Sequence, residues 1–379
     1  MISNNFWYAV ATLTGTIIGV GMFGLPFVAS RAGFFILCAY LAVFAAIFVA
    51  LHLMFGEIIL RTKERHRMTG YAGIYLGAGA KRFFALTALV GLSGGMLVYI
   101  LVGGAFFQEA TYGIFGSVYA NQFIFWAIMS AVLALGLRMV KELELAMFAL
   151  MIGIIVFLFF MSVPHLDAHN LAGFDPSKIF LPYGVVLFAL AGGAAIPAMR
   201  DMLEGKEHAM KRAIITGTLI PVCLYALFTI AILGVSGAAT SENALSGLHG
   251  ALGESAVFLG AVLGVALVAT SYLVFGLYLR DTLRYDMGIS DKMALACALL
   301  VPFVLLFFQW RSFIEIIGFL GALLGGIDGI FLIMIYRRAR KQGNRQPEYT
   351  LCISNMALYA LMCIFAAGIA YITLFDGTI

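Results

Sequence analysis

Eleven apolar runs constrain this chain more than any other feature of its sequence. They cover residues 6–30, 33–60, 83–112, 121–140, 143–163, 180–203, 211–236, 254–285, 291–309, 312–336 and 351–375, with short polar segments between them. An α-helix needs about 20 apolar residues to cross the ~30 Å hydrocarbon core of a bilayer, and most of these runs reach that length. Backbone amides and carbonyls find no water there, so only helices and closed barrels span it. Barrel strands alternate apolar and polar residues at period two. These runs are continuous, which predicts an all-α integral membrane protein with the lipid bilayer as its surroundings. Of the 379 residues, 63% are hydrophobic and 11% charged, against about 25% charged in a soluble domain. That balance excludes a soluble enzyme, a disordered chain, a nucleic-acid binder and a disulfide scaffold.

Charge placement gives the orientation. With the N-terminus in the cytoplasm, 20 of the 23 Lys and Arg residues fall on inner segments, and only Arg31, Lys178 and Arg311 on outer ones. This is the asymmetry of the positive-inside rule, and it requires an odd number of spans with the C-terminus outside. In a bacterial cell the membrane is the plasma (inner) membrane. The first apolar run lacks the basic flank of a cleavable signal peptide. The longest connections, near 61–82, 164–178 and 237–253, are too short to fold alone. His165, Asp167, His169 and Asp175 in the second of them read as a solvated loop. Cys38, Cys223, Cys297, Cys352 and Cys363 lie in apolar runs without paired spacing, so they read as small buried hydrophobes.

Two runs carry interruptions. In the first, Gly15, Gly19, Gly21 and Gly24 precede Pro26; in the sixth, Ala191-Gly192-Gly193-Ala194-Ala195 precedes Pro197. Gly and Pro weaken a helix in the middle of a bilayer. Gly15 and Gly19 also make a small-xxx-small packing face. The two interruptions are roughly 170 residues apart, each opening a group of five runs, and five is odd. The second group therefore enters from the opposite side, the pattern of an inverted-topology repeat with a midplane binding site. The expected halves are 1–165 and 175–340, with an additional span within 350–376. Unwound backbone at such a break lines a cavity: helix N-termini favour an anion, free carbonyls a cation. An α-amino acid carries one of each, so a small-molecule amino acid is matched with few charged side chains.

The string from Gly15 to Pro26, followed by Ala32-Gly33-Phe34, resembles the first helix of amino acid permeases in the amino acid–polyamine–organocation superfamily. The string Leu187–Pro197 resembles their sixth helix. The nearest likeness is to the aromatic/hydroxy amino acid permease and amino acid/auxin permease group. The resemblance covers essentially the whole chain. It implies a LeuT-like five-plus-five inverted repeat with broken spans 1 and 6, an eleventh span, and alternating access.

By the same resemblance, the substrate carboxylate meets the backbone at Gly19, Val20 and Gly21. The ammonium meets carbonyls of Ile17, Phe188, Ala189 and Ala191. Tyr99, near the middle of the third run, faces the pocket. A cation site for Na⁺ joins carbonyls of Gly15, Ile18 and Leu267 to the hydroxyls of Thr270 and Ser271. Leu267, Thr270, Ser271 and Phe275 share one helical face. A lining of Ile17, Met22, Tyr99, Phe188 and Phe275 disfavours charged substrates and suits a neutral, large or aromatic one. The resemblance implies no cofactor beyond Na⁺ or H⁺ as coupling ion. Ionisable residues inside a membrane are costly and mark function by default, which makes Glu57 and Asp328 the candidates for a proton relay or gate. The sequence shows neither a channel filter nor an enzyme motif. It predicts a secondary active importer, with an exchanger or an uncoupled facilitator as the alternative.

Overall fold

The computed structural model describes residues 4–135, 140–308 and 312–375. Arg138 and Arg311, both counted in the charge asymmetry, lie outside the described residues. The first apolar run forms α1 (Asn4–Ile17) and α2 (Gly21–Ala32), which meet at an angle of 52°. Gly33, at φ +120°, turns the chain directly into α3 (Phe34–Arg61). A Cβ at Gly33 would also stand 2.5 Å from the Gly173 carbonyl, so only glycine fits. There follow α4 (Met68–Leu76), α5 (Ala78–Ala110), α6 (Val118–Ala134) and α7 (Val140–Ser162). The sixth run is again two helices, α8 (Leu181–Leu190) and α9 (Ile196–Met202), separated by a short 3₁₀ turn at Gly193–Ala195. Then come α10 (Met210–Ser236), α11 (His249–Asp281), α12 (Asp291–Leu305), α13 (Phe313–Phe319), α14 (Gly326–Gln342) and α15 (Asn355–Phe375). A π-helical stretch, Leu320–Gly325, joins α13 to α14.

As far as its residues are described, each apolar run folds as a helix or a helix pair. Among the described residues, seven helical stretches are long and apolar enough to cross a membrane, and the bent α1–α2 pair makes an eighth. The segment 61–82 is more ordered than a loop. Its α4 is too short to span and is hidden in sequence by basic flanks, yet it buries Tyr71, Ala72 and Tyr75 and packs along α5 and α14. Thr62 and Tyr75 share a hydroxyl–hydroxyl bond of 2.7 Å that fixes its approach. The cysteine reading is corrected. Cys223, Cys352 and Cys363 are exposed on the molecule, and Cys38 and Cys297 are half-buried. An apolar run reports avoidance of water, which lipid satisfies as well as protein does.

Close helix approach sets the interior. α1 packs on α10, α2 on α8, α5 on α11, and α8 on the π stretch. At the last contact a Cβ on Gly184 would strike the Gly318 carbonyl, and one on Gly321 the Gly184 carbonyl and the Phe188 amide nitrogen. Backbone therefore touches backbone next to the α8–α9 break.

The two ends of the bundle differ. One gathers the basic segments: Arg65 binds Asp201 (2.6 Å) and Glu204 (2.9 Å), and Arg67 binds Asp281 (2.8 Å). Here the link from α14 to α15 lies along α3. Arg345 donates to the Leu60 carbonyl (2.7 Å) and Tyr349 to that of Leu53 (2.7 Å). At the other end the loop 163–178 is clamped by Asp167 N–H on the Gly234 carbonyl (2.9 Å) and Asp175 N–H on that of Ala32 (3.1 Å). Asp167 and Asp175 cap short turns within it, and the Ser177 hydroxyl and amide hold the Asp175 carboxyl below its usual range. Adding a methyl at Gly321 or Gly184 should cost about 1–3 kcal/mol of stability through overpacking. The melting temperature in detergent should fall for Gly321→Ala and Gly184→Ala, and not for Gly153→Ala, where a Cβ meets open space.

Candidate functional site

The two helix breaks face one another. A Cβ at Gly21 would stand 2.8 Å from Ala189 Cα and 3.2 Å from Phe188 Cδ1, and one at Gly192 would strike Ile17. At the first break, Ile18 N–H still reaches Thr14 (2.8 Å) and Gly19 N–H folds back on Ile17 (3.0 Å). Among the described residues, the Val20 and Gly21 amides have no backbone carbonyl partner. They open α2 and point the positive end of its dipole into the site. Val20 and Met22 are fully buried there and Ile17 nearly so. At the second break Ala191 N–H reaches Phe188 (3.2 Å) and Ala195 N–H reaches Gly192 (3.1 Å).

Side chains from two further helices close on Gly19. A Cβ there would lie 3.4 Å from the Tyr99 hydroxyl and 3.3 Å from Ser271 Oγ. Tyr99, from α5, is buried, and its ring sits edge-on to Phe275 of α11 at 5.1 Å. Phe275 packs against Gly95, where no side chain fits. The structure therefore brings Ile17, Gly19, Gly21, Tyr99, Phe188, Ala189, Ser271 and Phe275 together.

Tyr225 of α10 went unrecognised in the sequence. Its side chain is fully buried. Its hydroxyl lies 2.8 Å from the Ile17 carbonyl and 2.7 Å from that of Ala189. One O–H thus ties both breaks together through two of the carbonyls that the sequence assigns to the substrate ammonium. The sequence signal was slight: a phenol in the middle of an apolar run must find a polar partner.

Of the five oxygens of the expected cation site, two bond each other. Thr270 donates its hydroxyl to the Leu267 carbonyl (2.8 Å), inside its own helix. Ser271 turns to Gly19 and Tyr99, the side expected to take a carboxylate. A Cβ at Gly15 would meet nothing within 4 Å. Ile18 lies buried in the first break. Glu57 is fully buried and occupied: it accepts from Arg61 Nε (2.8 Å), Leu351 N–H (2.8 Å) and the Tyr336 hydroxyl (3.4 Å). These donors make Glu57 the anchor of the α14–α15 link on α3. Asp328 is exposed in the first turn of α14, without a hydrogen-bond or ion-pair partner among the described residues. Arg200 and Asp201 do not pair with each other. Arg200 donates to the carbonyls of Ile59 and Thr62, and Asp201 binds Arg65.

A bent first span and an interrupted sixth, their breaks facing one another in a bundle of further apolar helices, fit a membrane transporter. The chain belongs to the tryptophan/tyrosine permease family, whose pattern matches residues 2–373. It is 26% identical to the tyrosine-specific transport system 2 of Haemophilus influenzae, covering 96% of this chain and 95% of that protein. It is 20% identical to glutamine transporter 2 of Aliivibrio fischeri, covering 92% and 91%. Its fold is shared with the inward-facing conformation of Mhp1 (TM-score 0.71, 15% identity, 97% and 88% of the two chains). It is shared also with MhsT in complex with L-phenylalanine (TM-score 0.71, 12% identity, 98% of each).

Two substitutions test this geometry. Tyr225→Phe strips a donor from each of two buried carbonyls, at a cost of about 1–3 kcal/mol. It should lower the melting temperature and reduce amino acid uptake several-fold. Gly19→Leu should abolish uptake while the protein still inserts, because a side chain fills the space beside Tyr99 and Ser271; surface labelling beside an uptake assay reads both.

Proposed function

We propose that the chain is a secondary active transporter that imports a neutral, large or aromatic amino acid by alternating access, coupled to Na⁺ or H⁺. The observation that carries this reading is the meeting of the two breaks. Free amides at Val20 and Gly21, with the Tyr99 and Ser271 hydroxyls at Gly19, suit a carboxylate. Carbonyls at Ile17, Phe188, Ala189 and Ala191 suit an ammonium. Ile17, Met22, Phe188, Phe275 and the Tyr99 ring present an apolar, partly aromatic wall with no charge to meet a second charge on the substrate. Similarity to a tyrosine-specific transport system supports an aromatic side chain, and the glutamine relative keeps other neutral side chains in the test.

In this reading 1–165 and 175–340 are inverted halves of five spans each, and 350–376 holds the eleventh. The basic end is cytoplasmic and the C-terminus lies outside. Na⁺ would bind among Gly15, Ile18, Leu267, Thr270 and Ser271. For a proton, Asp328 is the acceptor, since Glu57 is held by fixed donors. Labelled tyrosine, tryptophan, leucine and glutamine are offered to proteoliposomes under a sodium gradient at symmetrical pH, or a proton gradient without sodium. Accumulation of tyrosine or tryptophan under one gradient is expected. If sodium drives it, Thr270→Ala with Ser271→Ala should raise the sodium requirement several-fold; if protons do, Asp328→Asn should abolish accumulation while leaving exchange. Equilibration without accumulation under both gradients would make the protein an exchanger or facilitator.

A further inference from the structure

A cavity of about 680 Å³ opens at the basic end, between the 65–81 segment and α9. Its wall reaches Ala194 and Pro197, at the α8–α9 break, so it adjoins the substrate site. Its charge is one-sided. Arg65, Arg67, Lys81 and Arg200 line it with His66, and Asp201 is the one acid among its lining residues. Arg65 and Arg67 are neutralised locally, by Asp201 and Glu204 and by Asp281. Lys81 is not, and Arg200 only in part: the Glu348 carboxylate that feels its charge is already paired with Arg345. Arg200 is 6% exposed, and its Nη1 donates to the carbonyls of Ile59 (2.7 Å) and Thr62 (3.1 Å). Those acceptors close the C-terminal end of α3 and offset part of the charge, but they are neutral. Lys81, in the first turn of α5, has no hydrogen-bond or ion-pair partner among the described residues. Capping explains half of Arg200 and nothing of Lys81. A buried guanidinium that shares its one acid with a second arginine is incompletely compensated, and an anion in the cavity offsets what is left.

We propose that this vestibule is a second, weaker carboxylate site on the path between the helix breaks and the basic end. Resting on the transport function above, the inference is that the α-carboxylate of the amino acid passes from the Val20 and Gly21 amides to Arg200 and Lys81. The ring of an aromatic substrate then lies against Ile74 and Tyr285, which line the same space.

The test uses the full-length protein with Ala78→Cys, an exposed position on the cavity wall. An anionic sulfonate and a cationic ammonium methanethiosulfonate are compared, with modification followed by peptide mass so that the five native cysteines are read separately. Focusing by uncompensated charge should favour the anionic reagent roughly three- to tenfold. Lys81→Gln, which breaks no hydrogen bond or ion pair and keeps the stem that packs at Gly73, should remove most of that preference, and millimolar tyrosine should slow labelling in the parent. No anionic preference, or one that Lys81→Gln leaves unchanged, overturns the site. Protection by acetate or glutamate without protection by tyrosine keeps a carboxylate site but assigns it to the cell's own anions. If the preference is present and tyrosine is neither bound nor transported, the vestibule stands and the transport function falls. If tyrosine is transported and the preference is absent, the vestibule falls alone.

Discussion

Unpaired backbone at two helix breaks is the constraint on which the rest of this structure depends. Inside an apolar bundle each free amide or carbonyl carries a desolvation cost of several kcal/mol. The breaks can persist only where they meet each other, a polar side chain or a ligand. Here they do the first two. Gly21 abuts Ala189 and Gly192 abuts Ile17, and one phenol from α10 reaches a carbonyl on each side. The groups left over, amides at the start of α2 and hydroxyls of Tyr99 and Ser271, leave hydrogen-bond donors beside Gly19, where the proposed carboxylate position lies.

Everything around the breaks holds them at that distance. Backbone contact between Gly184 and Gly321 seats α8 on the π stretch beside the second break. α10, which supplies Tyr225, packs on both α1 and α3, and the buried His52 of α3 bonds Thr218 of α10 at 3.0 Å. Glu57 gathers Arg61, Tyr336 and Leu351, fastening the α14–α15 link to α3. Buried polar groups in this protein thus serve mainly to lock helices together, and the site itself stays poor in charge.

Much of this was legible in the sequence for a simple reason. Length and continuity of apolar runs translate directly into helices when the solvent is lipid, and Gly/Pro clusters translate into breaks. What stayed hidden depends on three-dimensional neighbours. Tyr225 is one of sixteen tyrosines, and nothing local says that its hydroxyl lands between Ile17 and Ala189. Glu57 reads as a lone carboxylate in a span until the 345–351 segment, distant in sequence, brings its donors. The helix at 68–76 is too short for periodicity to register. The exposed cysteines show the limit of hydropathy, which separates apolar from wet and does not separate protein interior from lipid.

The central claim is that carboxylate and ammonium are both read by backbone at the paired breaks. It is tested most directly by equilibrium binding of labelled tyrosine to the purified protein, with tyramine and 3-(4-hydroxyphenyl)propionate as competitors. Each analogue keeps the ring and lacks one of the two charges. The expected result is saturable tyrosine binding that neither analogue displaces at tenfold to hundredfold higher concentration, since each leaves a buried polar set unmatched. Competition by either analogue as effective as that of tyrosine itself would contradict the assignment of that half of the site.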